Sequence, residues 1–352
     1  MLFAEQITIK NWLLPNRIVL PPMVTWAAEP DGRVTAYQLG HYGGFRDVGL
    51  VVVEATAVSP EGRLAARQIG AFSDDHLPGL TKLAAVIRES GAVAAIQLHH
   101  AGGQTNLKNT HGLRPLAPSA RGRGQVVPQA MTKDDIMRVQ DDFVAAAKRV
   151  MQAGFQAIEL HGAHGYLLSQ FLSPALNLRD DEYGGSLANR ARFALEVLDK
   201  VQAAVGESCL VYMRFGAADG VPGGLTLEEG QQVAQWLVEA GIKLLHVSSG
   251  VGGAPVTAAA GAEGWSPTMV LAREIRAAVD VPVIGVGGII RPEQAQAALE
   301  AGLVDLVAVG KGLLADPLWA SKALGHTLAP INLCRQCPRC GHYQHPFSCP
   351  AR

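Results

Sequence analysis

The sequence predicts an α/β protein in which parallel strands close into a (β/α)8 barrel, followed by a short cysteine-rich C-terminal extension. Short runs rich in Val, Ile and Leu alternate along the chain with longer Ala-rich segments of helical periodicity, as in a parallel sheet covered by helices. Eight such units in roughly 330 residues fit a closed TIM barrel. A doubly wound open sheet is the main alternative, but no Gly-x-Gly-x-x-Gly motif follows the first strand.

Eight apolar runs have the length and composition of buried strands: Ile18–Leu20, Leu50–Ala55, Ala94–Leu98, Ala157–Leu160, Leu210–Arg214, Leu244–Val247, Val283–Gly285 and Leu306–Val309. The segments between them predict helices at Leu80–Ser90, Thr132–Ala153, Asn189–Val205, Thr226–Ala240, Pro267–Val279 and Pro292–Ala301. Thr132 with Asp135, and Thr226 with Glu229, resemble capping boxes that open a helix. Glycines stand where three helices should stop before the next strand: Gly154, Gly241 and Gly302.

Composition excludes several classes of function. The formal net charge of −1 gives no long-range attraction to nucleic acid or to an anionic membrane. No apolar run reaches the roughly 20 residues that span a bilayer. The N-terminus lacks the basic and apolar regions of a signal peptide, so we expect a cytoplasmic protein.

The cysteines are unevenly distributed. Cys209 stands alone at a strand start and is expected to be a small core residue. The other four fall within the last 19 positions: Cys334, Cys337, Cys340 and Cys349. Without an export signal, this clustering favours metal binding over disulfides. We therefore divide the chain into a barrel, residues 1–332, and a cysteine-rich tail, residues 333–352.

A polar cluster follows the fourth predicted strand. His161, His164 and Tyr166 come directly after the apolar run Phe155–Leu160. Barrel enzymes place their chemistry at such strand ends, so the cluster predicts an enzyme. Two alternatives are a histidine pair that binds a metal, for which no surrounding zincin pattern is present, and a merely structural pair.

Further motifs resemble the old yellow enzyme family of NADH:flavin oxidoreductases, in the order in which that family has them. They are Asn16 to Ile18 with Pro21 to Met23, Val53 to Ala55, Gln97 to Gly102, Ala117 to Ala120, His161 to Tyr166, Asp181 to Phe193, Val309 to Lys311 and Ala315 to Pro317. The resemblance covers residues 3–330. It implies a TIM barrel that binds FMN non-covalently and reduces activated C=C bonds of enones, enals, nitroalkenes or enoyl esters with NAD(P)H.

The resemblance assigns roles at the substrate. His161 and His164 would donate hydrogen bonds to the carbonyl or nitro group and stabilise developing negative charge. Tyr166 would act as the general acid that protonates the α-carbon after hydride transfer from flavin N5 to the β-carbon. Trp26 would shape the substrate pocket, with core packing as its alternative role.

The resemblance also assigns FMN contacts. Pro22, Met23 and Ala55 would line the isoalloxazine ring, Gln97 would bond its pyrimidine edge, and Arg214 would place positive charge near N1 and O2, unless it is a structural arginine. Relatives carry Thr or Cys where this chain has Val24, which cannot donate a hydrogen bond; Thr25 next door is the substitute. The phosphate would bind beyond the last two strands: Gly287, Gly288, Gly310 and Lys311. Lys311 replaces the arginine of many relatives and loses its bidentate geometry.

The tail resembles the iron–sulfur branch of the family, the dienoyl-CoA reductases and trimethylamine dehydrogenase. There four cysteines hold a [4Fe-4S] cluster, although the last spacing is shorter here. A four-thiolate zinc site and an empty or oxidised tail are the alternatives. Those relatives continue into FAD- and NAD(P)-binding domains, whereas this chain stops at Arg352. NAD(P)H would then reduce FMN directly, or an electron-donor protein would feed the cluster, or the chain is a truncation.

The partner-fed alternative makes the chain an iron–sulfur flavoprotein subunit that acts as a dehydrogenase or dealkylating enzyme. A third candidate function is a metal hydrolase without flavin, which would require that the purified protein has no flavin absorbance. We also expect a homo-oligomer. Residues 102–131 lack clear periodicity and predict a loop over the catalytic face, in which arginines are either functional or simply solvated: Arg114, Arg121 and Arg123.

Overall fold

The computed structural model describes residues 1–121, 126–255, 264–343 and 348–352. In chain order the strands of these residues are β1 (Ile7–Ile9), β2 (Trp12–Leu14), β3 (Ile18–Leu20), β4 (Leu50–Ala57), β5 (Val93–His99), β6 (Leu116–Ala117), β7 (Gln129–Ala130), β8 (Ala157–Gly162), β9 (Leu210–Gly216), β10 (Leu245–Ser248), β11 (Val283–Val286) and β12 (Leu306–Ala308). Eight of them form a closed barrel in the order β3, β4, β5, β8, β9, β10, β11, β12. Neighbours around this barrel pair in parallel, which confirms the predicted (β/α)8 fold.

The barrel strands read as continuous apolar runs because both of their faces are buried. Along β4, Leu50 and Val52 point into a cluster in the barrel interior, whereas Val51 and Val53 join the layer between strands and helices. All four are fully buried. A hairpin of β1 and β2 adds Ile9 to the interior cluster. This two-sided burial explains why period-two polarity is absent from the strands.

The helices are α1 (Ala36–Gly43), α2 (Leu77–Glu89), α3 (Lys133–Gln152), α4 (Leu167–Leu172), α5 (Leu187–Val205), α6 (Leu227–Glu239), α7 (Pro267–Arg276), α8 (Pro292–Glu300), α9 (Lys311–Ala315) and α10 (Trp319–Ala323). Both predicted capping boxes are present, at Thr132 and Thr226. The three predicted stop glycines have φ of 92°, 98° and 63°, in the left-handed region that favours glycine: Gly154, Gly241 and Gly302.

The structure differs from the sequence prediction in short elements. Helices α1, α4, α9 and α10 were not predicted. Every residue of α4 is buried, so its sequence lacks the alternation of apolar and polar faces that predicts a helix. Helix α7 ends at Arg276, before the predicted Val279. No helix among the described ranges has the length and apolarity needed to cross a bilayer.

Strand register brings the polar strand ends together. His161 of β8 lies opposite Arg214 of β9 in the parallel ladder, and Arg214 in turn lies opposite His246 of β10. On the other side of β8, Glu159 lies opposite Gln97 of β5. Strand register alone therefore places these side chains at one end of the barrel.

Candidate active site

A cavity of about 500 Å³ opens at the carboxyl ends of the barrel strands. This volume lies within the range of small-molecule and cofactor sites. All but one of the site residues expected on the barrel line it: Pro22, Met23, Val24, Trp26, Ala55, Gln97, His161, His164, Tyr166, Arg214, Gly287, Gly288, Gly310 and Lys311. The residues that sequence reasoning missed are mostly apolar: Pro21, Leu64, Val286, Ile289, Ile290, Ala308, Gln336 and Tyr343.

Thr25 is the expected residue that does not line the cavity. Its backbone N–H and its hydroxyl both donate to the carboxylate of Glu54, at 2.8 and 2.6 Å. These bonds hold Thr25 behind the residues that line the cavity. They also fix the turn that carries Trp26, whose φ of 52° lies in the left-handed region.

The two histidines converge on one point. A turn after β8 places His164 at φ 61°, and the N–H of His164 donates to the carbonyl of Ser249 at 2.9 Å. Nε2 of His161 then lies 3.0 Å from Nδ1 of His164. Nε2 of His164 lies 2.7 Å from the hydroxyl of Ser248. Tyr166 closes the cluster, its ring centroid 4.9 Å from that of His161.

Burial sets the protonation of this cluster. It lowers the pKa of His161 and His164 well below the ordinary value, and the neighbouring Arg214 adds to the effect at both. Burial also raises the pKa of Tyr166. Both imidazoles are therefore neutral near pH 7, and the phenol keeps its proton.

A buried polar layer beneath the cavity was not expected from the sequence. Gln97 donates to Oε1 of Glu159 at 2.7 Å, and Nδ1 of His246 lies 2.7 Å from Oε2 of the same carboxylate. Glu159 and His246 are fully buried. The available signal was a charged residue in the middle of an apolar strand, which is rare unless it has partners. The layer fixes the side chain of Gln97 against the cavity.

Arg214 has an unsatisfied donor at the cavity wall. It is 9% exposed, and within the described ranges its Nε has no hydrogen-bond partner. Burial lowers its pKa, while Glu159 opposes that shift. A buried cation at the wall of a cavity fits an anionic or carbonyl group of a bound molecule.

The glycines beyond β11 and β12 lie where a larger side chain would meet neighbouring atoms of the cavity wall. Gly287 has φ 127°, and a Cβ there would collide with the hydroxyls of Ser266 and Thr268. At Gly310 a Cβ would approach Sδ of Met23 to 3.3 Å. Lys311 is exposed and lines the cavity beside them. This arrangement offers close backbone approach and one cation, which suits a phosphate.

The tail packs against the barrel near this cavity. Nε2 of His342 lies 3.1 Å from the carbonyl of Val24, and its ring stacks on His41. Gln336 and Tyr343 of the tail line the cavity itself. No sequence pattern predicted these contacts, because the tail has no periodicity that relates it to the barrel.

The four tail cysteines line a second, much smaller cavity, together with Lys311. All four are half-buried: Cys334, Cys337, Cys340 and Cys349. No group of three or more His, Cys, Asp or Glu side chains in the described part of the chain is arranged to hold a metal ion. The geometry thus brings the thiols around one space without forming a ligand set. Cys209 is buried in the core, as expected.

The segment 102–131 does reach the catalytic face. Nε2 of Gln104 donates to the carbonyl of Gly165 at 2.9 Å, in the turn between His164 and Tyr166. Arg114 and Arg121 are exposed, in keeping with solvated charge, and Arg123 lies outside the described residues.

Barrel, cavity and convergent donors define a barrel enzyme with a cofactor-sized site, and comparison with known proteins identifies its class. A sequence model of the NADH:flavin oxidoreductase / NADH oxidase family matches residues 2–328. The chain belongs to this family. It is 42% identical to the NADH oxidase of Thermoanaerobacter brockii, over 96% of this chain and 52% of that protein. It is 41% identical to the NADPH dehydrogenase of Bacillus cytotoxicus, over 91% of this chain and 92% of that protein.

Solved structures agree with the family assignment. The old yellow enzyme homologue from Zymomonas mobilis is 25% identical and superposes with a TM-score of 0.81, over 97% of this chain and 98% of that one. The expected resemblance to old yellow enzymes is confirmed, as is the prediction of an NAD(P)H-dependent flavin oxidoreductase. The chain spans about half the length of the Thermoanaerobacter brockii protein.

Proposed function

We propose that this chain is an FMN-dependent ene-reductase that uses NAD(P)H to reduce C=C bonds activated by a carbonyl or nitro group. The observation that carries the proposal is the pair of neutral imidazoles whose facing nitrogens lie 3.0 Å apart at the wall of the cavity. These nitrogens are hydrogen-bonded to each other, and a substrate oxygen that separates the two rings can accept a hydrogen bond from each of them. Enones, enals, nitroalkenes and enoyl esters all present such an oxygen conjugated to the alkene.

The residues present fit FMN. The guanidinium of Arg214 at the cavity wall suits the pyrimidine end of the flavin, and Gln97, held in place by Glu159, lines the same cavity. Gly287, Gly288, Gly310 and Lys311 would take the phosphate, and Pro22, Met23, Val24 and Ala55 would contact the ring. Because Thr25 does not line the cavity, it would influence the flavin only through the residues that do. When bound, FMN supplies the hydride chemistry, from NAD(P)H to the alkene β-carbon.

His161 and His164 would bind and polarise the substrate oxygen. Because their pKa values are lowered by burial, both are neutral donors, so they stabilise developing negative charge without giving up a proton. Trp26, held at a left-handed φ, would limit the width of the pocket on the substrate side.

Tyr166 would deliver the proton to the α-carbon. Its raised pKa keeps the phenol protonated at neutral pH, and its ring is fixed edge-on against His99 and His161 at 4.5 and 4.9 Å. A neutral acid held beside the proposed oxygen-binding pair supports the role of general acid.

The test is the double variant His161→Ala with His164→Ala, compared with His100→Asn. His100 is a buried neighbour whose Nδ1 accepts from the N–H of Gly102, outside the proposed site. We expect the double variant to keep its flavin absorbance and to lose about 10³-fold in enone turnover, because it lacks both oxygen donors. Unchanged turnover in the double variant contradicts the assigned role.

A second candidate is a partner-fed electron-transfer flavoprotein, and one observation favours it. Lys311 lines both the large cavity and the small one surrounded by the four cysteines. A [4Fe-4S] cluster or a zinc ion held by Cys334, Cys337, Cys340 and Cys349 would therefore lie beside the phosphate end of the flavin site. In this proposal residues 333–352 form a metal-binding unit separate from the barrel, residues 1–332.

Anaerobic purification separates the two candidates. Iron and zinc content with the visible spectrum shows which metal, if any, the cysteines hold. If NADH and NADPH both fail to bleach the flavin while a reduced ferredoxin-type donor succeeds, the partner-fed function replaces the ene-reductase. Bleaching by a nicotinamide together with enone turnover supports the first proposal. Light scattering of the same sample tests the expected homo-oligomer.

A further inference from the structure

Four side chains form a continuous hydrogen-bonded chain at the carboxyl ends of β5, β8 and β10. Nδ1 of His99 lies 3.0 Å from Nδ1 of His161. The chain continues from Nε2 of His161 to Nδ1 of His164 at 3.0 Å, and from Nε2 of His164 to Oγ of Ser248 at 2.7 Å. A neutral imidazole carries one ring proton, so the proton position on one ring dictates that on the next.

His99 determines the direction at one end of the chain. It is fully buried, burial lowers its pKa to about 3, and its Nε2 has no hydrogen-bond partner in the described ranges. A buried N–H without a partner is rarer and costlier than a buried acceptor without one. His99 therefore carries its proton on Nδ1 and donates it to Nδ1 of His161. The proton of His161 must then be on Nε2, which points toward His164.

Ser248 allows two states at the other end. When no oxygen lies between the rings, His164 accepts at Nδ1 and donates from Nε2 to the hydroxyl of Ser248. A substrate oxygen can accept from both rings only if they separate, because two N–H groups that face each other at 3.0 Å would bring their hydrogens into contact. With the oxygen at about 2.8 Å from each nitrogen, His164 can donate to it only from Nδ1. Nε2 of His164 must then accept from Ser248. A serine hydroxyl rotates to donate or to accept, so it suits both states.

We propose that His99 and Ser248 are positioning residues that set the tautomers of His161 and His164, so that both facing nitrogens donate to one substrate oxygen. The inference rests on the ene-reductase function proposed above and extends it to two residues that act through the histidine rings. His99 keeps the proton of His161 on Nε2 at all times. Ser248 lets His164 carry its proton on Nδ1 only when an oxygen is bound.

The first test is [¹⁵N]histidine NMR of the flavin-loaded protein, because the ring nitrogen shifts distinguish Nδ1–H from Nε2–H. We expect Nε2–H at His161 in the wild type. His99→Phe keeps an aromatic ring against Tyr166 but removes the donor, so His161 should lose part of its preference for Nε2–H. In His99→Asn the side-chain amide lies near the position of Nδ1 and should restore Nε2–H. His100→Asn is the matched control and should leave His161 unchanged.

The second test adds cyclohex-2-enone without a reductant. The wild type and Ser248→Thr should move His164 from Nε2–H to Nδ1–H. Ser248→Ala leaves Nε2–H without a partner, so His164 should already favour Nδ1–H before the enone is added and should show a smaller shift. In turnover, His99→Phe should lower kcat/KM about tenfold and His99→Asn about threefold or less, since one hydrogen bond sets the tautomer.

Nδ1–H at His161 in the wild type, or Nε2–H retained in full by His99→Phe, overturns the assignment of His99. Absence of an enone-dependent shift at His164 overturns that of Ser248. If the tautomers follow the expected pattern while enone turnover is unchanged in every variant, the tautomer inference stands and the proposed function of the two donors fails. The two failures are therefore distinguishable.

Discussion

The strand-end site and the cysteine tail lie next to each other and are held in different ways. At the strand ends, Gln97, Glu159 and His246 are buried and bonded to one another, on positions that the parallel ladders bring together. In the tail all four thiols are half-buried, and an important anchor is the contact of His342 with Val24. Sheet register fixes the first region, whereas side-chain contacts fix the second.

This difference has an energetic consequence. Hydrogen bonds of a buried layer must be broken to move its members, so its side chains are preorganised for chemistry. A half-exposed segment exchanges many of its contacts for water at small cost. Substitutions at the strand ends should therefore have larger effects than substitutions in the tail.

The largest effect is expected at Arg214. Arg214→Met keeps the length of the side chain and removes the charge, and it should weaken FMN binding about 100-fold, because a hydrogen bond to a charged group in a buried site contributes up to about 3 kcal/mol. Arg214→Lys, which keeps the charge, should lose less. Fluorescence of released FMN measures both dissociation constants. Equal affinity in wild type and Arg214→Met would show that the guanidinium of Arg214 does not bind the flavin.

Gly287 gives the next largest effect. Gly287→Ala should destabilise the fold by about 2 kcal/mol, since φ is 127° and the added Cβ would meet the hydroxyls of Ser266 and Thr268. Gly288→Ala is the matched control, with a positive φ of 78° but its nearest neighbour, Cβ of Ser266, at 4.0 Å. It should cost about 1 kcal/mol. Urea unfolding compares the two, and equal losses would mean that steric crowding at Gly287 is relieved by its neighbours.

The fold and the polar strand ends could be predicted because they depend on local sequence, whereas the other expected site residues came from the resemblance to old yellow enzymes. Runs such as that of β4 report burial on both faces, and the polar residues that end them, such as His161 and Arg214, must meet at one edge of a closed parallel sheet. Glu159 was missed although it interrupts an apolar run, because its partners lie on two other strands. Tyr343 was missed because the tail has no sequence periodicity from which its packing against the barrel could be predicted.

Glu54, which holds Thr25 behind the cavity lining, gives a pH-dependent test of burial near the strand ends. It is fully buried, and burial raises its pKa from an ordinary value of 4.5 to about 7, against the lowering effect of hydrogen bonds from Thr25. Between these two values the folded protein holds a proton that the unfolded chain has lost, so the contribution of Glu54 to stability falls as pH rises from about 4.5 to about 7 and is constant above that. The slope approaches about 1.4 kcal/mol per pH unit.

Urea unfolding from pH 4.5 to 8 of the wild type and Glu54→Gln measures this term as the difference between their unfolding free energies. The wild type should lose stability relative to the variant as pH rises. A difference that grows in favour of the wild type would mean that Glu54 is ionised in the folded protein throughout.

The smallest effect is expected in the tail. His342→Ala removes the contact with the carbonyl of Val24 and the stacking on His41, and it should lower the free energy of unfolding by about 1 kcal/mol. Because Tyr343 and Gln336 line the cavity, loosening the tail should also expose bound flavin to iodide quenching. Leu328→Ala, at a fully exposed position just before the tail, is the control and should change neither quantity. A loss in His342→Ala as large as that of Gly287→Ala would make the tail part of the folded core and remove the distinction between the two regions.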